Sequence, residues 1–349
     1  MARSVAAILL VAALVVAIAV PAAGMEFTDE DVGSEEELLD LYERWCHLHQ
    51  VARSPAEKVR RFSIFKHNIR FIQDYNRGAP RTKLGLNVFA DLTHAELGEI
   101  HAGCHEHPPV GLVRDMPQPA IDLNDLPQYV DWRDKNAVTS VKDQGDCGAC
   151  WAFAAIGAVE GITAIRTGTL EELSAQMLVD CSINFNNGCK SGAMWKAYQF
   201  IGDNGIATER AYPYVAREEA CHSGWSGLST LASVEKYTFV TPNNEAALMA
   251  VVAQQPVSVT LGIDLAFWYY TSQVGVYKGP GNATNRHAAL VVGYGTLFNG
   301  EKYWLLKNSW GPNWGHGGYM YMSRDTTGAA EGVCGILDQP IYPVRRPKK

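Results

Sequence analysis

Cys147 and Cys150 stand three residues apart in the stretch Gln144-Gly145-Asp146-Cys147-Gly148-Ala149-Cys150-Trp151, and no proline follows until Pro213. A Cys-x-x-Cys can be a redox dithiol, half of a zinc site, or one structural thiol beside one reactive one. From Cys150 onward, Trp151, Phe153, Ile156, Val159, Ile162 and Ile165 or their neighbours form a helical stripe, so Cys150 is predicted to open a helix. A thiol there meets unpaired backbone N–H groups and the positive end of the helix dipole, which favour the thiolate. Cys147, in the glycine-flanked loop before it, lacks that setting.

The compartment bears on the other six cysteines. Arg3, the apolar run Val5 to Val20 and the small residues Ala22-Ala23-Gly24 read as a secretory leader, residues 1–24, cut near Gly24. No later run approaches the roughly 18 apolar residues of a spanning helix, so no membrane partner is expected. Secretion permits disulfides. With 349 residues, 47% apolar and 19% charged, the chain can bury a large core. Residues 26–124 carry 11 Lys+Arg and 17 Asp+Glu, net −6, and residues 125–349 carry 18 and 20, net −2. Neither segment has the basic balance of a nucleic-acid binder. Seven of the ten histidines (His47, His49, His67, His94, His101, His105, His107) precede residue 125, which suggests a first segment that responds to acid.

That first segment, 25–124, reads as a small helical domain. Two helices are predicted between Glu35 and Asn76, separated near Ser54-Pro55, a cap and first-turn pair. In the second, Glu57, Arg61, Phe65, Asn68, Ile72 and Asn76 follow at steps of 4, 4, 3, 4 and 4 and share one face, with Glu57 and Arg61 able to pair. Gly85-Leu86-Asn87-Val88-Phe89-Ala90-Asp91 alternates like a short strand. Residues 101–124, with Pro108, Pro109, Pro117 and Pro119, read as an extended linker open to cleavage.

In the remainder, 125–349, residues 150–215 read mainly as helix. Strands are predicted at Val257 to Leu261, Ala288 to Tyr294, Lys302 to Leu306 and Gly318 to Met322, giving an α+β architecture in two lobes. A thiolate nucleophile needs a partner that holds its charge and later protonates the leaving amine. Only His222, His287 and His316 are available in this part. His222 adjoins Cys221 in a loop-like stretch and His316 lies in a glycine turn. His287 opens a strand whose hairpin partner ends at Lys307-Asn308, after a turn at Asn299-Gly300. That hairpin puts His287 and Asn308 at one end, where the amide can fix the imidazole toward Cys150.

These motifs resemble two parts of one known family. The E-x3-R-x3-F-x2-N-x3-I-x3-N helix and the G-x-N-x-F-x-D stretch resemble the inhibitory propeptide of cathepsin L-type papain-like cysteine proteases. Gln144-x5-Cys150-Trp151-Ala152-Phe153, His287 and Asn308-Ser309-Trp310-Gly311 are similar to the papain family across nearly the whole chain, most like its plant members. The resemblance implies a helical prodomain followed by a papain-like fold, a helical lobe plus an antiparallel β-barrel lobe. It implies a cysteine endopeptidase zymogen with no cofactor and no metal. Cys150 would be the nucleophile, His287 the general acid/base, Asn308 its orienter, and Gln144 with the Cys150 N–H the oxyanion hole. Trp310 would shield the His287–Asn308 contact.

The resemblance also pairs Cys147 with Cys189 and Cys181 with Cys221, leaving Cys150 reactive. Cys334 lacks its usual partner and is expected as a buried thiol. Gly192 would offer its backbone to an extended substrate, with Ser191 crowding the cleft slightly, and Ala193, Met194, Thr260, Ala288 and Gln339 would line a pocket for mid-sized apolar side chains. Arg286 stands where papain has Asp beside the catalytic histidine and is expected to lower the pKa of His287. Asn282-Ala283-Thr284 is a glycosylation acceptor, and the basic end Arg345 to Lys349 reads as a solvated tail. Expected partners are protein and peptide substrates, the chain's own propeptide and cystatin-type inhibitors, for a monomer in the secretory pathway, outside the cell or in a vacuole or lysosome. A non-catalytic binding module would leave every catalytic position occupied for no purpose. An exopeptidase would need an insertion at one end of the cleft, and the sequence has none.

Overall fold

A computed structural model describes residues 24–78, 83–101, 103–104, 125–222, 232–271, 275–279, 285–325 and 329–345. The leader up to residue 23, the linker 105–124, Asn282 and the tail 346–349 lie outside the described residues.

Among the described residues the first segment contributes three α-helices, α1 (Glu35–Leu48), α2 (Pro55–Gly78) and α3 (His94–His101). Ser34 and Ser54 accept the N–H groups of Glu37 and Glu57, so α1 and α2 both begin on hydroxyl caps. Leu41, Tyr42 and Trp45 of α1 meet Phe65, Ile69 and Ile72 of α2 in a core that continues into the sheet lobe of the second part. Arg61 reaches Glu57 only at 3.7 Å; its guanidinium is given to Glu96 at 2.8 Å and to the Asp91 carbonyl at 3.1 Å.

The strand expected over 85–91 does not form. Single bridges join Leu84 to Tyr270 and Leu86 to Met25, and the chain then turns. The cause is Asn87: its Oδ1 accepts the Phe89 N–H, its carbonyl accepts the Ala90 N–H, and its Nδ2 donates to the Trp268 carbonyl at 2.6 Å. An asparagine that bonds its own backbone two residues on makes a turn where a strand would need a free edge.

In the second part the order is β1 (Val130–Asp131), α4 (Cys150–Thr167), α5 (Ala175–Cys181), α6 (Met194–Asn204), β2 (Lys236–Phe239), α7 (Glu245–Val252), β3 (Val257–Ile263), α8 (Leu265–Trp268), β4 (Asn285–Thr296), β5 (Lys302–Lys307), β6 (Tyr319–Ser323) and β7 (Ile341–Val344). Helices α4 to α6 make one lobe. The strands make a seven-stranded antiparallel sheet ordered β2-β7-β3-β4-β5-β6, with β1 beside β4. Helix α4 is buried nearly all round, as expected of an Ala-rich apolar helix without a polar face, and it packs between the lobes. It ends on Gly168, whose left-handed φ of 74° lets its N–H close onto Ala164. Cys147–Cys189 and Cys181–Cys221 are disulfides, both within the helical lobe. Among the described residues no helix is long and apolar enough to cross a membrane.

Candidate active site

The N-terminus of α4 is left open by the sequence. Its N-cap is Ala149, which has no side chain able to bond the first-turn N–H groups. The first helical residue is Cys150, fully buried, so those donors surround a sulfur instead of a capping hydroxyl. Because Cys147 is joined to Cys189, the neighbouring thiol cannot form a dithiol with it or share a metal. That removes the first two readings of the Cys-x-x-Cys.

Register brings the histidine. Strand β4 pairs with β3 so that Leu261 faces His287 and Thr260 faces Ala288, and with β5 so that Leu290 faces Lys307. Asn308 therefore follows the last pair of the hairpin, and its Oδ1 lies 2.7 Å from His287 Nε2, both groups buried. The same Oδ1 accepts the Ser309 N–H at 2.8 Å. The Ser309 hydroxyl in turn donates to Gln144 Oε1 at 2.8 Å, and the Ser309 carbonyl accepts the Gln144 N–H. Ser309 thus ties Gln144 to the His287–Asn308 pair, a link the sequence motif contains but does not reveal. The Trp310 ring lies 4.5 Å from the imidazole, centre to centre, closing one side of it.

The site is covered by the first segment. Gly192 N–H donates to the Gly103 carbonyl at 2.8 Å, and Cys104 N–H donates to the Arg286 carbonyl at 3.3 Å, so one peptide unit of that segment spans the cleft between the lobes. A Cβ on Gly103 would lie 2.0 Å from the Gly148 carbonyl, and one on Gly192 would run into the Trp151 indole at 2.4 Å. Glycine at both places lets the backbone come this close. The Cys104 thiol rests 3.6 Å from Thr260 Oγ1, packed with Met194 and Ala288, two of the residues expected to line a side-chain pocket. Ala193 is buried, bonded through its N–H to Asn186, and Gln339 is half-buried. Gln144 Nε2 donates to the Ile100 carbonyl at 3.3 Å and to Cys147 O at 3.0 Å. Ile100 is in the last turn of α3, where carbonyls lack helical partners, so the negative end of that helix faces the amide expected to receive an oxyanion.

Coverage sets the electrostatics. Burial pushes the Cys150 thiol up from its ordinary value, and hydrogen bonds from the backbone of Ala288, Gly103, Trp151 and Cys150 itself work in the opposite direction. The expected stabilisation of the anion is therefore outweighed in the covered form by exclusion of water. Arg286, expected to act on His287, is ion-paired to Asp338 at 3.2 Å, which offsets its charge. Cys334 is a buried thiol outside both disulfides.

The cover is fastened by aromatic contacts. Phe89 meets the Trp310 ring edge-on at 5.5 Å, and His94 meets Trp268 at 5.2 Å. Trp45 Nε1 donates to the Asn87 carbonyl at 2.8 Å and holds the turn that presents Phe89. Arg53 grips Asp91 through two bonds of 3.0 Å, and Asp91 is fully buried.

Known proteins share both parts. The family model described as papain family cysteine protease matches residues 126–344, and that of the cathepsin propeptide inhibitor domain (I29) matches residues 42–97. Cysteine endopeptidase Rep1 of Oryza sativa subsp. japonica is 44% identical over 351 residues, covering 98% of this chain and 92% of its own. Cysteine proteinase EP-B 1 of Hordeum vulgare is 44% identical over 354 residues, covering 99% and 93%. Among solved structures, the proform of Amb a 11, a cysteine protease and major ragweed pollen allergen, superposes with a TM-score of 0.80 at 37% identity, covering 93% of this chain and 99% of that one.

Proposed function

The chain belongs to the papain family of cysteine proteases and carries the family's propeptide inhibitor domain, and on that premise we propose that it is a secreted zymogen that hydrolyses peptide bonds through Cys150, His287 and Asn308. The observation that carries this reading is the Gly103–Cys104 peptide unit held between Gly192 and Arg286 over Cys150, since a substrate backbone would take the same two bonds. In the uncovered enzyme the Cys150 thiolate attacks the scissile carbonyl. Gln144 Nε2, freed from Ile100, and the Cys150 N–H receive the oxyanion. His287, held by Asn308, protonates the leaving amine and then draws a proton from water to release the acyl group. Met194, Ala193, Thr260, Ala288 and Gln339 take the side chain that Cys104 foreshadows.

The boundaries 1–24, 25–124 and 125–349 belong to the same reading, as do a monomeric state, inhibition by cystatin-type proteins, and residence outside the cell or in a vacuole or lysosome. The test is maturation and activity of the purified chain in acid. Wild type is expected to process itself near residues 115–126 and cleave a peptide library, while Cys150→Ala does neither and loses at least about 10^4-fold in rate. Equal maturation of the two would contradict self-processing, and cleavage by Cys150→Ala within about 10^2-fold of wild type would contradict the nucleophile.

A further inference from the structure

A cavity of about 160 Å³ lies between the lobes, against the helix that carries Cys150; it shares Ala288, Asn308 and Ser309 with the site above, and the chemistry there leaves its interior unused. Its wall includes Phe153 and Ile156 of α4, Leu290 of β4 and the segment Lys307 to Ser309, but neither Cys150 nor His287. On one side Lys307 is 8% exposed, and its Nζ donates to Thr139 Oγ1 at 2.9 Å. The Thr139 hydroxyl in turn donates a hydrogen bond to Glu160 Oε2 at 2.7 Å, and Glu160 Oε1 accepts the Leu173 N–H at 2.9 Å. Both oxygens of Glu160 are thus engaged, whereas an ammonium has three donors and this one gives a single hydrogen bond among the described residues. Glu160 acts on this charge across Thr139, and the ammonium's two unspent N–H groups favour a further acceptor beside it.

The other polar group of interest is Glu209, half-buried in the same wall, which gives one carboxylate oxygen to the Tyr214 N–H at 2.8 Å. Lys142 is turned to Glu172 and Ser140. Burial raises the Glu160 and Glu209 carboxyls and lowers the Lys307 amine from their ordinary values, and the mutual attraction of Glu160 and Lys307 works against the shift of each. A simple anion entering here would meet the carboxylates of Asp143, Glu160 and Glu209, and a simple cation would meet Lys142 and Lys307. A molecule bearing both charges answers both, and Phe153, Ile156 and Leu290 offer it an apolar surface. The volume suits it, since a cavity of about 150 Å³ admits a molecule the size of benzene.

We propose that this cavity binds a free apolar α-amino acid, its carboxylate at Lys307, its ammonium at Glu209 and its side chain against Ile156 and Leu290. The proposal does not depend on the peptidase reading. It is tested on the full chain carrying Cys150→Ala, which prevents self-cleavage, with L-leucine titrated against methyl NMR signals of isoleucine and leucine residues. Isovalerate, which lacks the ammonium, and isoamylamine, which lacks the carboxylate, serve as comparisons. Saturable binding of leucine with shifts at Ile156 and Leu290 is expected, at least about tenfold tighter than either comparison compound. Lys307→Met and Glu209→Gln should each weaken leucine at least about tenfold. Glu209→Gln keeps the acceptor for Tyr214 and serves as the test should Lys307→Met fail to fold. Absence of saturation up to about 10 mM, equal binding of the three compounds, or shifts confined to other methyl groups would overturn the proposal and leave the cavity to water.

Discussion

The prodomain and the helical lobe face each other across Cys150, yet they are held together by different forces. The helical lobe is an apolar interior around α4 closed by two disulfides. The prodomain shares its aliphatic and aromatic core with the sheet lobe, and its turns are fixed by side chains bonded to backbone, Asn68 to the carbonyls of Ala90 and Leu92, Asn76 to both backbone groups of Leu84 and Asn87 to Trp268, and by the ion pair of Arg53 with Asp91. Apolar burial and the neutral amide bonds of Asn68, Asn76 and Asn87 are indifferent to pH, whereas the ion pair of Arg61 with Glu96 is not. A cover meant to leave thus carries a few bonds that protons weaken, over a lobe whose apolar core they leave intact.

The sharpest way to break this comparison is Asp91→Ala. It strands Arg53 partly buried and removes an acceptor from Tyr42, and loss of one partner of a buried pair costs about 3–5 kcal/mol. The prodomain should undock, with hydrogen exchange of residues 84–97 speeding by at least about 10²-fold while α4 stays protected. Equal protection of 84–97 in the variant would show that the aromatic contacts alone suffice. The reciprocal change, Cys181→Ala with Cys221→Ala, opens a bridge between residues 40 apart in sequence. It is expected to destabilise the helical lobe by about 2–4 kcal/mol in denaturant unfolding without altering exchange in the prodomain.

Acid sharpens the contrast by a smaller amount. Burial holds the His49 imidazole below its ordinary 6.5, against a hydrogen bond at the Leu86 backbone that raises it. The unfolded prodomain takes the proton first, so this contribution to prodomain stability is complete above about pH 6.5 and weakens as pH falls through that value. Burial alone would raise the Glu96 carboxyl, but the Thr93 backbone and hydroxyl and Arg61 bring it down to about 2. Its contribution is therefore complete above about pH 4.5 and lost between there and about 2. Protection factors of residues 84–97, exchange rates corrected for the intrinsic rate at each pH, should fall in these two stages, by at most about tenfold per pH unit for each proton. His49→Gln should abolish the upper stage only; a retained upper stage would assign it to another histidine. Least of all should follow from Glu35→Ala, which breaks an exposed pair with Lys66 and is expected to shift prodomain stability by less than about 1 kcal/mol.

Much of the site could be read in the sequence because chemistry restricts it. A thiol at a helix start needs an imidazole, and hairpin register puts His287 beside Asn308; the structure has them 2.7 Å apart. What could not be read depends on partners distant in the chain or on a side chain bonding its own backbone. The stretch 85–91 alternates like a strand, but Asn87 turns it. In the sequence Arg286 stands as a lone charge, and its partner Asp338 lies 52 residues away. Strands β1, β2 and β7 are two to four residues long and are defined by pairing with one another and with β4 and β3, not by alternation. The role of Gly103 is invisible in a proline-containing linker and follows only from its contact with Gly148.

The central claim is that the prodomain keeps the Cys150 thiol neutral by excluding water, and that its removal leaves the backbone donors of α4 and the imidazole of His287 to stabilise the anion. The direct measurement is the rate of Cys150 alkylation by iodoacetamide at pH 7, resolved by peptide mass spectrometry, in the intact chain and after removal of the prodomain. A rise of at least about 10²-fold on removal, lost again in His287→Ala, is the expected result. Equal rates in the two forms would contradict it.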